Sequence, residues 1–164
     1  MNEEKMISQI LKRRDYFDKV FPPLVGNDYR NDISFSLSNS CPSCGYLTIE
    51  ERCVFNICRF CFWEDDGQDN HDANEVFGGP NSDYSLTAHR LEFYDWMEEL
   101  KKNADEDKSL KSNIGNELKV LDGYIEREEK NFQIVLDQIE KLAQLFDKFR
   151  SIATDEILSW KFKS

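Results

Sequence analysis

CPSCGYLTIEERCVFNICRFC, residues 41–61, places two C-x2-C pairs thirteen residues apart. Each pair, Cys41 with Cys44 and Cys58 with Cys61, can bend into a knuckle whose two thiolates grip one metal while backbone N–H groups donate to sulfur. Gly45, directly after Cys44, permits the backbone conformation that such a turn favours. Four thiolates form a closed tetrahedral site, the arrangement of structural zinc, with no open position for water or substrate. Soft thiolates suit iron as well, so the spacing favours zinc without excluding a rubredoxin-like iron centre. Between the pairs, Tyr46–Ile49 and Cys53–Ile57 are short β-prone runs around a polar Glu50-Glu51-Arg52 turn, which predicts a hairpin and a zinc-ribbon layout. Cys53, on the second run, reads as a small core residue. Five cysteines in a reducing compartment suit four ligands and one bystander better than a disulfide framework.

The second knuckle runs directly into CFWEDDGQDN, residues 61–70, and that junction is where the charge lies. Residues 1–60 hold eight acids and eight bases, whereas residues 61–100 hold eleven acids and one base, Arg90. Most of the net charge of −11 therefore follows the second cysteine pair. A phosphate footprint needs Lys and Arg, so this segment repels nucleic acid, leaving Lys12-Arg13-Arg14 as a small basic exception. Either the segment is a solvated face, or it steers a basic partner by long-range attraction. On the second reading, Glu64, Asp65, Asp66, Asp69, Asp72, Glu75 and Asp83 are the candidate partner contacts. No frame of the acidic run gives an EF-hand with its glycine and closing Glu in place.

Outward from this centre the chain reads as helical. Residues 3–21 carry Met6, Ile7, Ile10, Leu11, Phe17, Val20 and Phe21 near helical spacing, ending before Pro22-Pro23. Ile33–Leu37, alternating with serines, predicts a short strand. Residues 64–85 are rich in Asp, Asn and Gly and read as loop. Ser85 is placed to cap a helix that carries Leu91, Tyr94 and Met97. Leu118, Leu121, Ile125, Phe132, Val135, Ile139, Leu142, Phe146 and Phe149 recur at steps of three and four, interrupted where Glu128 takes the expected slot. That stripe predicts one helix over 117–150, roughly 50 Å long. It favours packing within the chain, with a homodimer seam as the alternative.

The expected architecture is α+β: a small zinc-ribbon-like β-hairpin domain with an N-terminal helix and a helical C-terminal half. The expected divisions are residues 1–38, 39–99 and 100–164. The charged N-terminus lacks an apolar signal centre, and no run of 18 apolar residues exists, so a cytoplasmic location is expected and no membrane partner. Two histidines, His71 and His89, with no G-x-S-x-G, P-loop or dinucleotide fingerprint, give no catalytic constellation.

CPSCGYLT at 41–48, ICRFCFWEDDGQD at 57–69, GGPN at 78–81 and SLTAHRLEF at 85–93 resemble the cysteine-rich CPCC domain family over about residues 39–93. Family members carry a C-P-C-C-G-Y opening, an I-C-P-V-C-F-W-E-D-D core, a G-G-x-N turn and an S-L-x-E-A-R-x-N-F helix. This chain departs at Ser43, which replaces the extra cysteine, and at Arg59-Phe60, which replaces Pro-Val. The resemblance implies a bacterial metal-binding module, and some such proteins look like immunity proteins that bind and silence a toxin domain. A protein-binding neutraliser of a basic toxin is therefore the leading expectation. An iron redox module or a nucleic-acid-binding ribbon are the alternatives. Trp63 is expected in the core against the helix at 86–98, with Phe62 beside it. Arg90 is expected to pair with Glu64, Asp65 or Asp66 and pin the acidic loop onto that helix.

Overall fold

A computed structural model describes residues 2–20, 39–105 and 108–152. Among them are helices α1 (Glu3–Val20), α2 (Leu86–Lys102), α3 (Leu110–Glu126) and α4 (Phe132–Ile152), and two short strands, β1 (Asn39–Ser40) and β2 (Leu47–Ile49). The strand expected at Ile33–Leu37 lies outside the described residues. The fold is α+β and mostly helical, with the antiparallel hairpin carrying the cysteine cluster. No described helix is long and apolar enough to cross a membrane.

The hairpin differs from the expected one. β2 pairs with β1, Asn39 opposite Ile49 and Ser40 opposite Leu47, so its loop is the first knuckle itself. Cys53–Ile57 does not return alongside β2. Instead Ile57 bridges Glu64, so the second knuckle closes its own small ladder. The reason lies at residues 53 and 55, whose φ values of 65° and 63° break an extended run. Two knuckle-centred turns thus replace one ribbon hairpin.

The expected long helix is two. Ser109 caps α3 by accepting from the Ser112 amide. α3 ends where Glu128 adopts φ 52°, while Glu128 donates to the Ile125 carbonyl and Glu129 to that of Tyr124. This is the Schellman arrangement, with Glu in the left-handed position that usually takes Gly. The single gap in the apolar stripe is therefore the turn. The stripe packs on itself within the chain: Leu118, Leu121 and Ile125 on α3, and Val135, Ile139, Leu142 and Phe146 on α4, are all buried.

α3 lies between α2 and α4. Gly115 sits at the α2 crossing, where a Cβ would collide with the Leu100 carbonyl. This glycine admits the neighbouring helix rather than simply weakening its own. On α2 the predicted cap is present, with Ser85 Oγ accepting from Ala88 N at 3.1 Å. Aromatic contacts then tie the helices to the cysteine module. Phe60 meets Tyr46 at 5.3 Å and Phe146 at 5.0 Å, and Trp96 meets Phe146 at 5.9 Å. One cluster of buried side chains runs from Tyr16 to Phe149 through all four cysteines.

Candidate metal centre

Both knuckles fold by the same hydrogen bonds. The Cys41 amide donates to the Tyr46 carbonyl at 2.8 Å and that of Cys58 to Trp63 at 2.9 Å. Gly45 donates to the Cys41 carbonyl at 2.9 Å and Phe62 to Cys58 at 3.0 Å. The residue after each second cysteine is left-handed, with φ 80° at Gly45 and 62° at Phe62. Backbone amides reach sulfur in each turn, Ser43 to Cys41 Sγ at 3.3 Å and Cys61 to Cys58 Sγ at 3.4 Å. Thr48 Oγ1 adds a contact to Cys58 Sγ at 2.9 Å.

These turns bring the four sulfurs within 4.8 Å of one another, all buried. Cys41 and Cys61 stand 3.6 Å apart, and Cys44 and Cys58 3.7 Å. A metal bonded to sulfur at about 2.3 Å spaces four tetrahedral ligands roughly 3.8 Å apart, so the donor set fits a tetrahedral ion. A disulfide needs about 2.05 Å and is excluded by the same distances. Burial pushes the Cys41 and Cys61 thiols well up. Burial acts on Cys58 in the same sense, but hydrogen bonds from the other three thiols and the Cys61 amide outweigh it and hold that thiol down. Four buried sulfurs of this kind call for a cation.

All four helices brace the cluster, α3 through Asp122. From α1, Arg13 donates Nη1 to the Cys44 carbonyl at 3.1 Å and lies 4.3 Å above the Tyr46 ring. Its Nε is 3.7 Å from Asp122, which accepts from Tyr46 Oη at 2.5 Å and from Lys101 at 3.0 Å. Burial opposes the Arg13 charge, but Tyr46, Asp122 and Cys44 together raise its pKa. From α2, Arg90 donates Nε and Nη2 to the Pro42 carbonyl at 3.0 and 2.6 Å, and Nη2 to Asn70 Oδ1 at 2.7 Å. His89 Nδ1 lies 2.7 Å from Ser43 Oγ. From α4, Glu140 and Asp147 take Arg59 at 3.0 and 2.8 Å, and Arg150 covers the Phe62 ring at 4.0 Å.

Arg90 does hold the acidic loop to α2, but through Asn70 and the first knuckle rather than through Glu64, Asp65 or Asp66. The cation of that loop is Arg52. Its Nε reaches the fully buried Asp65 at 2.6 Å, and its Nη1 reaches Asp69 at 3.2 Å. Arg14 takes Asp69 from the other side at 2.6 and 2.9 Å. Burial would push the Asp69 carboxyl up, yet Arg14, the Asn70 amide and Arg52 hold it well below the usual carboxylate range. Asp65 also accepts from the Cys53 amide at 2.9 Å, which fixes the left-handed turn there. Cys53 itself is exposed, not a core residue, because that turn aims it outward.

The seven candidate acids therefore divide. Asp65 is inside, and Asp69 is occupied by two arginines. Asp66 and Asp72 accept from the Gln68 and Asp69 amides at 3.0 and 2.8 Å, and Glu64 is clasped through its backbone by Asn81. Glu75 and Asp83 alone of the seven are exposed. Trp63 is fully buried with its ring 5.0 Å from His89 on α2, as expected. Its N–H finds no acceptor among the described residues. Phe62 is buried in the same core and also edges onto Phe146 on α4, 6.5 Å away. Lys12-Arg13-Arg14 is no free basic patch, since Lys12 pairs with Glu126 at 2.6 Å and its two neighbours are engaged as described. Arg13, Arg14 and Arg52 escape sequence reading because their partners lie far along the chain. The odd density of basic residues at 12–14 on a helix facing an acidic loop was the available signal.

Residues 39–107 match the family model described as Cysteine-rich CPCC, a span that contains all four ligating candidates, the acidic loop and α2. Comparison with curated proteins finds no match, and neither does comparison with solved structures. With its paired knuckles and buried four-cysteine cluster, the segment 39–107 of this chain is a cysteine-rich CPCC domain.

Proposed function

We propose that this protein is a non-catalytic binding module, held in shape by zinc, whose target is a basic protein surface. One observation carries the binding role. Five large apolar side chains stand about half exposed on the loops before and after the second knuckle: Val54, Phe55 and Ile57, then Val76 and Phe77. Exposed apolar side chains on a chain segment rich in acids have the composition of an interface with an apolar centre and a charged rim. Their loops are fixed, not slack: Phe55 N donates to the Asp65 carbonyl at 3.0 Å, and Gln68 Nε2 to the Glu75 carbonyl at 2.8 Å. Glu75 and Asp83, with Asp95 and Glu99 on α2, supply exposed negative charge that speeds approach of a basic partner. The closed sulfur cluster offers a substrate no coordination position, which supports a scaffolding rather than a catalytic metal.

The family resemblance and the charge together support a finer reading, neutralisation of a basic toxin domain in the manner of an immunity protein. The test is affinity capture from lysate of the source organism at low and physiological salt, followed by identification of the bound protein. A dominant basic partner, weakened by salt and lost with Phe55→Ser, is the expected result. Capture of chaperones or nucleic acid alone would overturn the reading. Zinc is checked separately by elemental analysis and by the absence of visible absorption, which iron in four thiolates would show.

A further inference from the structure

Arg90 presents an electrostatic problem. It is 2% exposed, yet among the described residues it makes no ion pair, only hydrogen bonds to the neutral oxygens of Pro42 and Asn70. Asp69 acts on it from a distance but is already held by Arg14 and Arg52. A buried guanidinium without an anion is costly enough that native structures supply one. The group that Arg90 grips is the first knuckle: Pro42 sits between the two cysteines of that turn. A divalent ion bound by four thiolates carries a double negative charge, buried and adjacent. Arg13 repeats the pattern from α1. It is 4% exposed and anchored on the Cys44 carbonyl, with Asp122 at 3.7 Å shared among Arg13, Tyr46 and Lys101. Arg150 is the third cation near the cluster, but its side chain is 42% exposed and solvent screens it.

We infer that Arg90 and Arg13 are the charge-balancing residues of the metal centre, positioned on the first knuckle so that their guanidinium groups offset a divalent tetrathiolate. This rests on the reading that the cluster holds a divalent metal. It assigns a task to two buried positive charges that their hydrogen bonds to Pro42, Asn70 and Cys44 do not by themselves require. It also places one of the two, Arg13, outside the 39–107 family match. Among the described residues the second knuckle has no buried arginine of this kind; Arg59, between its cysteines, is spent on Glu140 and Asp147.

The test is Zn2+ affinity of the full chain by chelator competition, with Co2+ absorption reporting the tetrahedral thiolate site. Arg90→Gln keeps a hydrogen-bond donor and removes the charge, whereas Arg90→Lys keeps the charge. Arg90→Gln and Arg13→Gln should each weaken Zn2+ binding about 10-fold to 100-fold, the usual effect of losing a supporting group around a metal site. The Lys variants should recover most of that loss, and the screened Arg150→Gln should stay within about threefold of the parent. Arg90→Gln binding as tightly as the parent overturns the inference, as does Arg90→Lys binding as weakly as Arg90→Gln. If the Gln variants do not fold, the charge-keeping variants decide: Arg90→Lys and Arg13→Lys should stay within about threefold of the parent, and a loss of about 10-fold or more in either overturns the inference. A parent chain that binds neither Co2+ nor Zn2+ overturns both this inference and the metal reading beneath it. Metal binding by the parent with unaffected Gln variants removes this inference alone.

Discussion

The two knuckles share one backbone and differ in what leans on them. In the first, the left-handed residue is Gly45, and a Cβ there would lie 2.8 Å from the Ile10 carbonyl of α1. In the second, the equivalent residue is Phe62, whose ring is covered by Arg150 and edges onto Phe146. The same metal-binding turn thus accepts a glycine where a helix backbone presses against it, and an aromatic where a helix offers side chains. Turn geometry sets the φ value, and the neighbour chooses the residue.

The comparison breaks most completely if the sulfurs are not one shared centre. Cys41→Ser and Cys58→Ser should then differ, whereas a common metal predicts equal and near-total loss of metal-dependent folding. Structural zinc contributes on the order of 10 kcal/mol in small zinc domains, so chelation of the parent should mimic either variant. Circular dichroism melts with and without chelator read this directly. Next in size is Gly45→Ala, which combines an unfavourable φ with the collision against Ile10. It should cost about 2–4 kcal/mol and lower the melting temperature by roughly 5–15 °C.

Phe62 sharpens the contrast. Phe62→Ala should lose about 2–3 kcal/mol of packing while retaining the left-handed strain. Phe62→Gly loses the same packing but relieves that strain, so it should melt no lower than Phe62→Ala. The reverse order would mean that strain at this position is negligible. Smallest is Arg59→Ala. The two ion pairs to α4 are partly exposed, with Asp147 at 48%, and such pairs contribute at most about 1 kcal/mol. A melting shift of no more than a few degrees is expected, measured beside Phe60→Ala as the packing reference.

The cysteine pairs, the Ser85 cap and the apolar stripe were legible because each is a local pattern with a fixed spacing. Glu128 shows the limit of that kind of reading. As a missing apolar residue it registered as a flaw in one helix, whereas its left-handed φ ends α3 and lets α4 fold back. The hairpin failed for a related reason. Cys53 and Phe55 look β-prone, yet Asp65 draws the Cys53 amide into a turn, and nothing in residues 46–57 announces that carboxylate. The acidic segment misled differently. Net charge counts Asp65 and Asp69 as surface, but Arg52 and Arg14 bring in cations from outside the segment. The Arg59-Phe60 departure from the family pattern became intelligible only with α4 in place, because both side chains are contacts for it.

The Phe60–Phe146 contact also bears on how the chain comes off the ribosome. All four cysteines are synthesised by residue 61, well before α4, so the metal turns can close early over short loops once they leave the ribosome. Phe60, fully buried in the finished protein, must then wait for a ring 86 positions later. At about 5–20 residues per second, that wait is roughly 4–17 seconds. During it, the second knuckle shows the nascent-chain environment an aromatic face that α4 will later cover. A ribosome-stalled chain ending before α4 should accordingly recruit holdase chaperones, and one long enough to expose α4 should release them.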